Sequence, residues 1–212
     1  MVPPQILDDR RDQTRTQRRA ALMRETLVDV AEALLIEGGP AAVTAEEVAH
    51  RADVSLQTVY NRVGGKPALL VAIAERVIKE NRAYVDAAYN CEGTAEEKLR
   101  RASVAYIRFA LEKPDKFRIL ANPPDEAGAQ QLFSEIADRH LQQLAEVIEG
   151  GIGDNTLSDH LDPRSSAVAL WGLLNGVLVM ALRMRQVDGR PISAEDMIAS
   201  ALRILEFGIL KR

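Results

Sequence analysis

Length, composition and charge place this 212-residue chain among ordinary globular proteins, with 47% hydrophobic and 27% charged residues. Its 27 basic and 31 acidic residues give a net charge of −4, so any site for nucleic acid must be local. One cysteine excludes an intramolecular disulfide, and with three scattered histidines it leaves too few ligands for a structural zinc site. Residues 1–13 hold two prolines and three aspartates instead of an apolar run, so we expect a cytoplasmic protein.

Helical periodicity recurs along the chain and strand alternation is almost absent, which predicts an all-α protein. Residues 1–14 are predicted to form a flexible tail. The first helix is predicted from Arg15 to Glu37, because its apolar residues share one face and Gly38 and Gly39 supply a stop.

Two short capped helices follow. The second helix is predicted over Ala45–Ala52, with Thr44 as its cap and Glu47 bonding back to the amide of the cap. Asp53 interrupts the chain before Ser55, which caps a third helix. This pair favours a helix-turn-helix, although short capped helices also connect the parts of ordinary helical bundles, and that alternative stays open.

The third helix and the turn after it present polar groups suited to DNA. Gln57 can bond an adenine edge in two places, and Tyr60 can keep its ring inside with the hydroxyl outward. Lys66 follows two glycines at the start of the next helix, where backbone amides and an ammonium group favour a phosphate. Each residue taken alone also suits a solvated surface or, for Tyr60, a half-buried core position.

A larger pattern joins these observations. Its residues are Thr44, Val48, Ala49, Ala52, Val54, Ser55, Thr58, Val59, Tyr60, Lys66, Ala68, Leu69 and Leu70. At these spacings they closely resemble the DNA-binding signature of the TetR family of transcriptional regulators, over about residues 15–75, and the rest of the chain resembles the family loosely. The resemblance implies a helix-turn-helix DNA-binding domain over 15–66 and a helical ligand-binding and dimerisation domain over 67–212.

The resemblance also implies roles for individual residues. The DNA-binding candidates that it gives are Thr44, Ser55, Leu56, Gln57, Thr58, Tyr60, Asn61 and Lys66. Gln57 falls where base readout is usual, and Thr44, Thr58, Tyr60 and Lys66 match phosphate-binding positions. The other three cap the third helix or flank the base-reading face. Asp53 departs from the family pattern, because it stands where glycine is usual and adds a negative charge near the DNA.

Six further helices are predicted beyond the DNA-binding region. They cover Ala68–Ala88, Ala95–Lys113, Asp115–Asn122, Gly128–Glu149, Pro163–Arg185 and Ala194–Leu210, with loops at 121–128 and 150–162.

One of these helices contains an unusually apolar segment. Ala167–Leu182 is shorter than the roughly 20 residues that cross a bilayer, so no membrane association is expected. A helix that is apolar all round must be buried on every side, which predicts that it lies between its own core and a second subunit. Gly172 and Gly176 would allow the close approach. A central helix of a monomeric bundle is the alternative. As a homodimer, the protein would read a pseudo-palindromic operator with half-sites about 10 bp or somewhat more apart.

The middle helices suggest a site for an apolar or aromatic effector. Its candidate lining is Tyr106, Phe109, Phe117, Phe133, Trp171, Asn175 and Met180. Pockets are mostly apolar with a few orienting polar groups, and a lone amide such as Asn175 in an apolar helix needs a partner. Each of these residues is also compatible with plain core.

Two functions remain from the sequence. The first is a ligand-responsive dimeric regulator that represses transcription, and the second is a helical small-molecule-binding protein without a DNA role. An enzyme is not expected, because His50, His140 and His160 lie far apart and no nucleophile motif surrounds them. No cofactor and no metal are predicted.

Overall fold

The computed structural model describes residues 14–183, 186–187, 190–191 and 193–209, with side chains over 14–183 and 193–204. The helices of this part of the chain are α1 (Arg15–Ala42), α2 (Ala45–Arg51), α3 (Leu56–Arg62), α4 (Lys66–Tyr89), α5 (Ala95–Glu112), α6 (Pro114–Ala121), α7 (Ala127–Gly153), α8 (Pro163–Arg183) and α9 (Ala194–Ile209). Two two-residue strands, β1 (Gln186–Val187) and β2 (Arg190–Pro191), pair antiparallel between α8 and α9. The all-α prediction is confirmed.

The chain divides into two compact units, one ending at Ile73 and the other beginning at Ala74. In the N-terminal unit, α1 packs on α2 and α3. Val48 of α2 and Val59 of α3 are fully buried with Leu27 of α1, so the two short helices are fixed by apolar contacts rather than by their length. The predicted domain boundary at 66/67 stays a prediction.

The C-terminal unit is a bundle in which α8 packs between α7 and α9, and α5 packs on α6, α7 and α8. Phe109, Phe117 and Ile148 are among its largest fully buried side chains. Thr94 and Glu97 form the capping box that begins α5. Pro114 begins α6 and separates it from α5, because a proline cannot donate the hydrogen bond that would continue the helix.

Several helix ends differ from the sequence predictions. Thr14, which falls in the predicted tail, caps α1 and forms a capping box with Gln17; the rest of the tail lies outside the described residues. The backbone leaves helical geometry at Gly39, as predicted, but helical hydrogen bonding resumes and α1 runs on to Ala42. Glu47 does not complete a capping box, because its carboxylate accepts from Arg51 Nε at 2.9 Å.

Two further predictions concern the later helices. The loop predicted over 150–162 is wrong at its start, because α7 continues through its glycines to Gly153. Helix α8 is 21 residues long, with a mean hydropathy of 1.8 in its apolar window, so by length and composition it could cross a membrane. One side of it is buried inside the unit at Ala167, Leu170, Leu174 and Leu178. Its other side, which includes Val168 and Met180, is exposed in the single chain.

Candidate DNA-binding surface and ligand cavity

The N-terminus of α3 is held by a local network of hydroxyl groups. Ser55 Oγ accepts a hydrogen bond from the Thr58 backbone amide at 3.2 Å and shares a second one with Thr58 Oγ1 at 2.8 Å. The cap supplies an acceptor for an amide that has no partner within the helix. Ser55 is exposed and Thr58 is partly exposed, so both hydroxyl groups remain able to contact a phosphate.

The outer face of α3 carries two amide side chains one turn apart. Gln57 Nε2 donates to Asn61 Oδ1 at 2.9 Å, and both residues are exposed. Leu56 is partly exposed beside them, and Tyr60 is half-exposed. This face therefore offers two amides, an apolar side chain and a phenol to a partner, which are groups that can contact base edges and phosphates.

Two candidate phosphate contacts flank α3. Thr44 caps α2 by accepting from the Glu47 amide at 3.1 Å. Lys66 is the first residue of α4, and it has no hydrogen bond or ion pair with any described residue. The Tyr60 ring lies against the turn before Lys66, since a Cβ placed on Gly65 would be in van der Waals contact with Tyr60 Cε1 at 3.4 Å.

Charge on this unit is partly neutralised by internal pairs. Arg51 pairs with Glu37 at 2.6 Å and with Glu47 at 2.9 Å. Asp53, between α2 and α3, has a φ of 51° and its side chain is exposed. It adopts the left-handed conformation at the turn that aspartate tolerates better than most residues.

Two of the cavities in the C-terminal unit share three lining side chains. The first, which we call chamber 1, has a volume of about 220 Å³. Its lining is Tyr89, Glu96, Leu99, Arg100, Ala102, Ser103, Tyr106, His140, Leu144, Leu170, Trp171, Leu174 and Leu202. The second, chamber 2, has a volume of about 280 Å³. Its lining is Asn81, Tyr106, Leu120, Ala121, Pro123, Gln130, Phe133, Ser134, Ile136, Ala137, His140 and Trp171.

Three aromatic side chains line both chambers and form a partition between them. The rings of Tyr106 and His140 are stacked with centroids 6.2 Å apart, and those of His140 and Trp171 are tilted at the same separation. Tyr106 Oη donates to Asn175 Oδ1 at 2.7 Å, which gives the lone amide of α8 a partner. The partition is therefore positioned by α5, α7 and α8 together.

The imidazole of His140 is partly buried in this partition. Its Nδ1 lies 3.2 Å from the Tyr89 hydroxyl, and the two rings meet edge to face at 5.6 Å. Burial lowers the pKa of His140 to about 4, against a smaller opposing effect of the Asp86 carboxylate. At neutral pH the chambers are thus separated by an uncharged ring.

The predicted ligand residues are only partly brought together. Tyr106 and Trp171 line both chambers, and Phe133 lines chamber 2. Phe109 and Phe117 are fully buried and line neither chamber; their rings pack edge to face on Tyr84 and Tyr106. Met180 also lines neither, since it lies on the exposed side of α8.

Sequence reasoning missed Asn81, Tyr89 and His140. A signal for two of them was present. Asn81 falls on the apolar stripe of α4 between Ile78 and Val85, and His140 falls between Phe133 and Leu144 on that of α7. A polar group on a buried stripe needs a hydrogen-bond partner, as Asn175 does on the apolar helix α8. In the part of the chain that the structure describes, no three His, Cys, Asp or Glu side chains group as a metal site.

Two family models match the chain. The model described as bacterial regulatory proteins of the tetR family matches residues 27–73, which include α2 and α3. The model described as the tetracyclin repressor-like C-terminal domain matches residues 99–205, just over half of the chain. No curated protein sequence gives a significant match.

Solved structures share the fold at low sequence identity. A proposed transcriptional regulator from Saccharomonospora viridis, in complex with choline, matches with a TM-score of 0.74 and 19% identity, covering 91% of this chain and 100% of that one. SmeT in complex with triclosan matches with a TM-score of 0.74 and 20% identity, covering 90% and 92%. The ketosteroid regulator KstR2 of Mycobacterium tuberculosis matches with a TM-score of 0.65 and 20% identity, covering 89% and 95%.

Proposed function

Because the chain belongs to the TetR family of bacterial transcriptional regulators, we propose that it is a cytoplasmic repressor that binds a pseudo-palindromic operator as a homodimer and leaves it when a small molecule binds. DNA binding and a response to a ligand follow from the family. The direction of regulation, the symmetry of the operator and the roles of individual residues are the proposal.

The exposed face of α3 is the observation that supports the DNA contacts. Gln57 lies there with its amide exposed and tethered only to Asn61, an arrangement that can open to bond a base edge in the major groove. Thr58, Tyr60 and Lys66 lie around this face with hydroxyl and ammonium groups that suit phosphates. The side chains that need to be fixed, Val48 and Val59, are buried on the opposite side.

The exposed side of α8 supports the homodimer. Val168 is 50% and Met180 is 47% exposed there, although α8 is the most apolar long helix of the described chain. A Cβ built on Gly172 or Gly176 would meet no atom within 4 Å, so both glycines face open space in the single chain. A second copy of α8 packed on this side would bury the apolar surface and exploit the close approach that glycines allow.

The two chambers support a small organic effector. Aromatic and aliphatic side chains make up most of the lining of both, with Glu96 and Arg100 also present in chamber 1, and a mostly apolar lining with a few polar groups is typical of sites for small molecules. The structural neighbours carry choline or triclosan, both small molecules, and they share the fold of this chain. The effector is proposed to shift the population between DNA-binding and released states, since a ligand acts only through its different affinity for the two.

Salt-dependent binding to random-sequence duplex DNA tests the DNA contacts. We expect Lys66→Ala to reduce the slope of log affinity against log salt by about one, because one phosphate contact is lost. Gln57→Ala should leave binding to random DNA unchanged, since it is proposed to read a base. Lys113→Ala removes one exposed charge from the C-terminal unit and serves as the control. A weak slope for the wild type would favour the small-molecule-binding protein without a DNA role.

Sedimentation of two matched variants tests the homodimer. Val168→Glu places a charge on the exposed side of α8 and is expected to give monomers. Val104→Glu places the same charge on α5 at a residue that is also 50% exposed, and it should remain dimeric. Equal sedimentation of the two variants would contradict an interface on α8.

A further inference from the structure

The wall of chamber 2 contains a side-chain amide that has no hydrogen-bond partner. Asn81 is only 6% exposed, its Nδ2 is buried without a hydrogen-bond partner, and its side chain makes no hydrogen bond with the described residues. Buried amides are almost always paired, because leaving one unpaired loses its interaction with water without replacement. A buried asparagine of this kind on a cavity wall is suited to a polar group of a bound molecule.

The charges around chamber 2 restrict that polar group. None of the residues that line the chamber is an Asp, Glu, Lys or Arg. Burial lowers the pKa of His140 to about 4, so its ring is neutral at pH 7 and supplies no counter-ion. A carboxylate or an ammonium group placed here would meet no opposite charge on the lining, which makes its binding less favourable than that of a neutral polar group.

The size and walls of the chamber define the remainder of the ligand. A cavity of about 150 Å³ suffices for benzene, and chamber 2 has about 280 Å³. Phe133 and the partition residues Tyr106 and Trp171 offer aromatic surfaces on its walls. The space therefore fits one aromatic ring with a short chain and a small polar head.

We propose that chamber 2 binds an uncharged aromatic molecule bearing one amide or carbonyl group, and that the Asn81 side chain turns to hydrogen-bond this group. This inference rests on the proposed function only in treating the chambers as the effector site.

Three compounds that share a phenylalkyl skeleton separate the effects of a neutral polar group, a charge and apolar contact on affinity. The probes are 3-phenylpropanamide, which has the neutral polar head, 3-phenylpropanoate, which carries a charge, and butylbenzene, which has no polar group. Trp171 is the single tryptophan of the chain and lies in the partition, so intrinsic fluorescence of the full-length protein reports binding without DNA. We expect the amide to bind about tenfold more tightly than butylbenzene, and the carboxylate to bind most weakly.

Two variants test whether Asn81 is the residue that makes the amide probe bind more tightly than butylbenzene. In Asn81→Leu the amide should lose its tenfold advantage, because the hydrogen bond is removed while apolar contact remains. Asn90→Leu changes an exposed asparagine that lines neither chamber, and it should bind all three probes as the wild type does. If Asn81→Leu does not fold, the order of affinities of the three probes for the wild type still tests whether the site prefers a neutral polar group.

Three binding results would contradict the proposed ligand of chamber 2. Equal affinity for the amide and butylbenzene, tighter binding of the carboxylate, or no fluorescence change with any probe would each overturn the proposal. None of these results depends on DNA, so a failure here leaves operator binding untouched. A protein that binds no DNA but prefers the amide would instead lose the proposed function and keep this site.

Discussion

The two units of the molecule differ in how far their candidate functional side chains are exposed and in how far along the chain their hydrogen-bond partners lie. In the N-terminal unit the candidate residues are at the surface, and their partners are three or four residues away, as in Ser55 with Thr58 and Gln57 with Asn61. In the C-terminal unit two hydrogen-bonded pairs join buried or partly buried side chains of different helices. Tyr89 meets His140 across 51 positions, and Tyr106 meets Asn175 across 69.

This difference follows from what each unit must recognise. DNA is large, charged and external, so polar groups can remain solvated until it arrives, and their neighbours need only hold the helix ends. The proposed small effector would be largely enclosed, so the polar groups around it lose much of their contact with water, and most of them have partners in the protein. Changes in the C-terminal unit should therefore alter folding stability, whereas changes in the N-terminal unit should chiefly alter DNA binding.

The largest expected effect comes from acid. Burial lowers the pKa of His140 to about 4 from 6.5, so between these values the unfolded chain binds a proton that the folded chain does not. The free energy of unfolding therefore falls by about 3 kcal/mol in all as pH falls through this window. Above pH 6.5 the titration of His140 does not change it. Urea unfolding followed by Trp171 fluorescence should show this loss in the wild type.

The matched variants isolate the buried imidazole from the carboxylates that also titrate in acid. His140→Gln should unfold with a smaller dependence on pH between 7 and 4, whereas His160→Gln, at an exposed position, should follow the wild type. An unchanged pH dependence in His140→Gln would show that the ring is not desolvated in solution.

A smaller effect is expected from removing a single hydroxyl in the partition. Tyr106→Phe leaves Asn175 Oδ1 without its 2.7 Å partner, and it should lower the free energy of unfolding by about 2 kcal/mol. Tyr60→Phe makes the same chemical change on the half-exposed face of α3 and should stay within about 0.5 kcal/mol of the wild type. Similar losses in the two variants would remove the distinction between the units.

The cap of α3 separates stability from DNA binding. Ser55→Ala should lower stability by about 1 kcal/mol, because the Thr58 amide loses its acceptor. Ser55→Asp preserves a capping oxygen, so stability should be retained, but its charge should weaken DNA binding by repelling phosphates. Thr94→Ala removes the matching cap from α5, and we expect it to affect stability alone. Wild-type DNA affinity in Ser55→Asp would mean that Ser55 lies away from the phosphates.

The smallest effect is expected at the turn between α2 and α3. Asp53→Asn keeps a residue that tolerates the observed φ of 51° and removes one negative charge from the proposed DNA-binding surface. DNA affinity should rise a few-fold at low salt, and the gain should shrink as salt is added. The same change at the exposed Asp159 of the C-terminal unit should have no effect; an equal gain there would indicate only a change in net charge.

Local signals explain what the sequence could predict. Thr44, Ser55 and Thr94 cap helices as expected, because a cap and its amide are three residues apart and need no tertiary information. The predicted end of α7 at Glu149 is wrong, because glycine lowers helix propensity and Gly150 therefore indicates a loop that does not form there. In the structure Gly151 lies where a Cβ would be only 2.6 Å from that of Ala95, so close packing requires the glycine within the helix.

Tertiary contacts explain what the sequence could not predict. Residue type alone does not distinguish Phe109 and Phe117, which are core, from the aromatic residues that line the chambers, and it does not identify Asn81 and His140 as lining residues. Periodicity places those two on buried stripes but does not say which stripes face each other. The partition requires α5, α7 and α8 to meet, and that arrangement is fixed by packing rather than by any local motif.

Selection of the full-length protein on random DNA duplexes at near-physiological salt tests the central claim most directly. A regulator of the proposed kind should enrich a pseudo-palindrome with half-sites about 10 bp or somewhat more apart, and Gln57→Ala should relax the preference at one position in each half-site. Selection is then repeated after refolding, to remove any resident ligand. A folded dimer that still enriches no sequence would contradict the account.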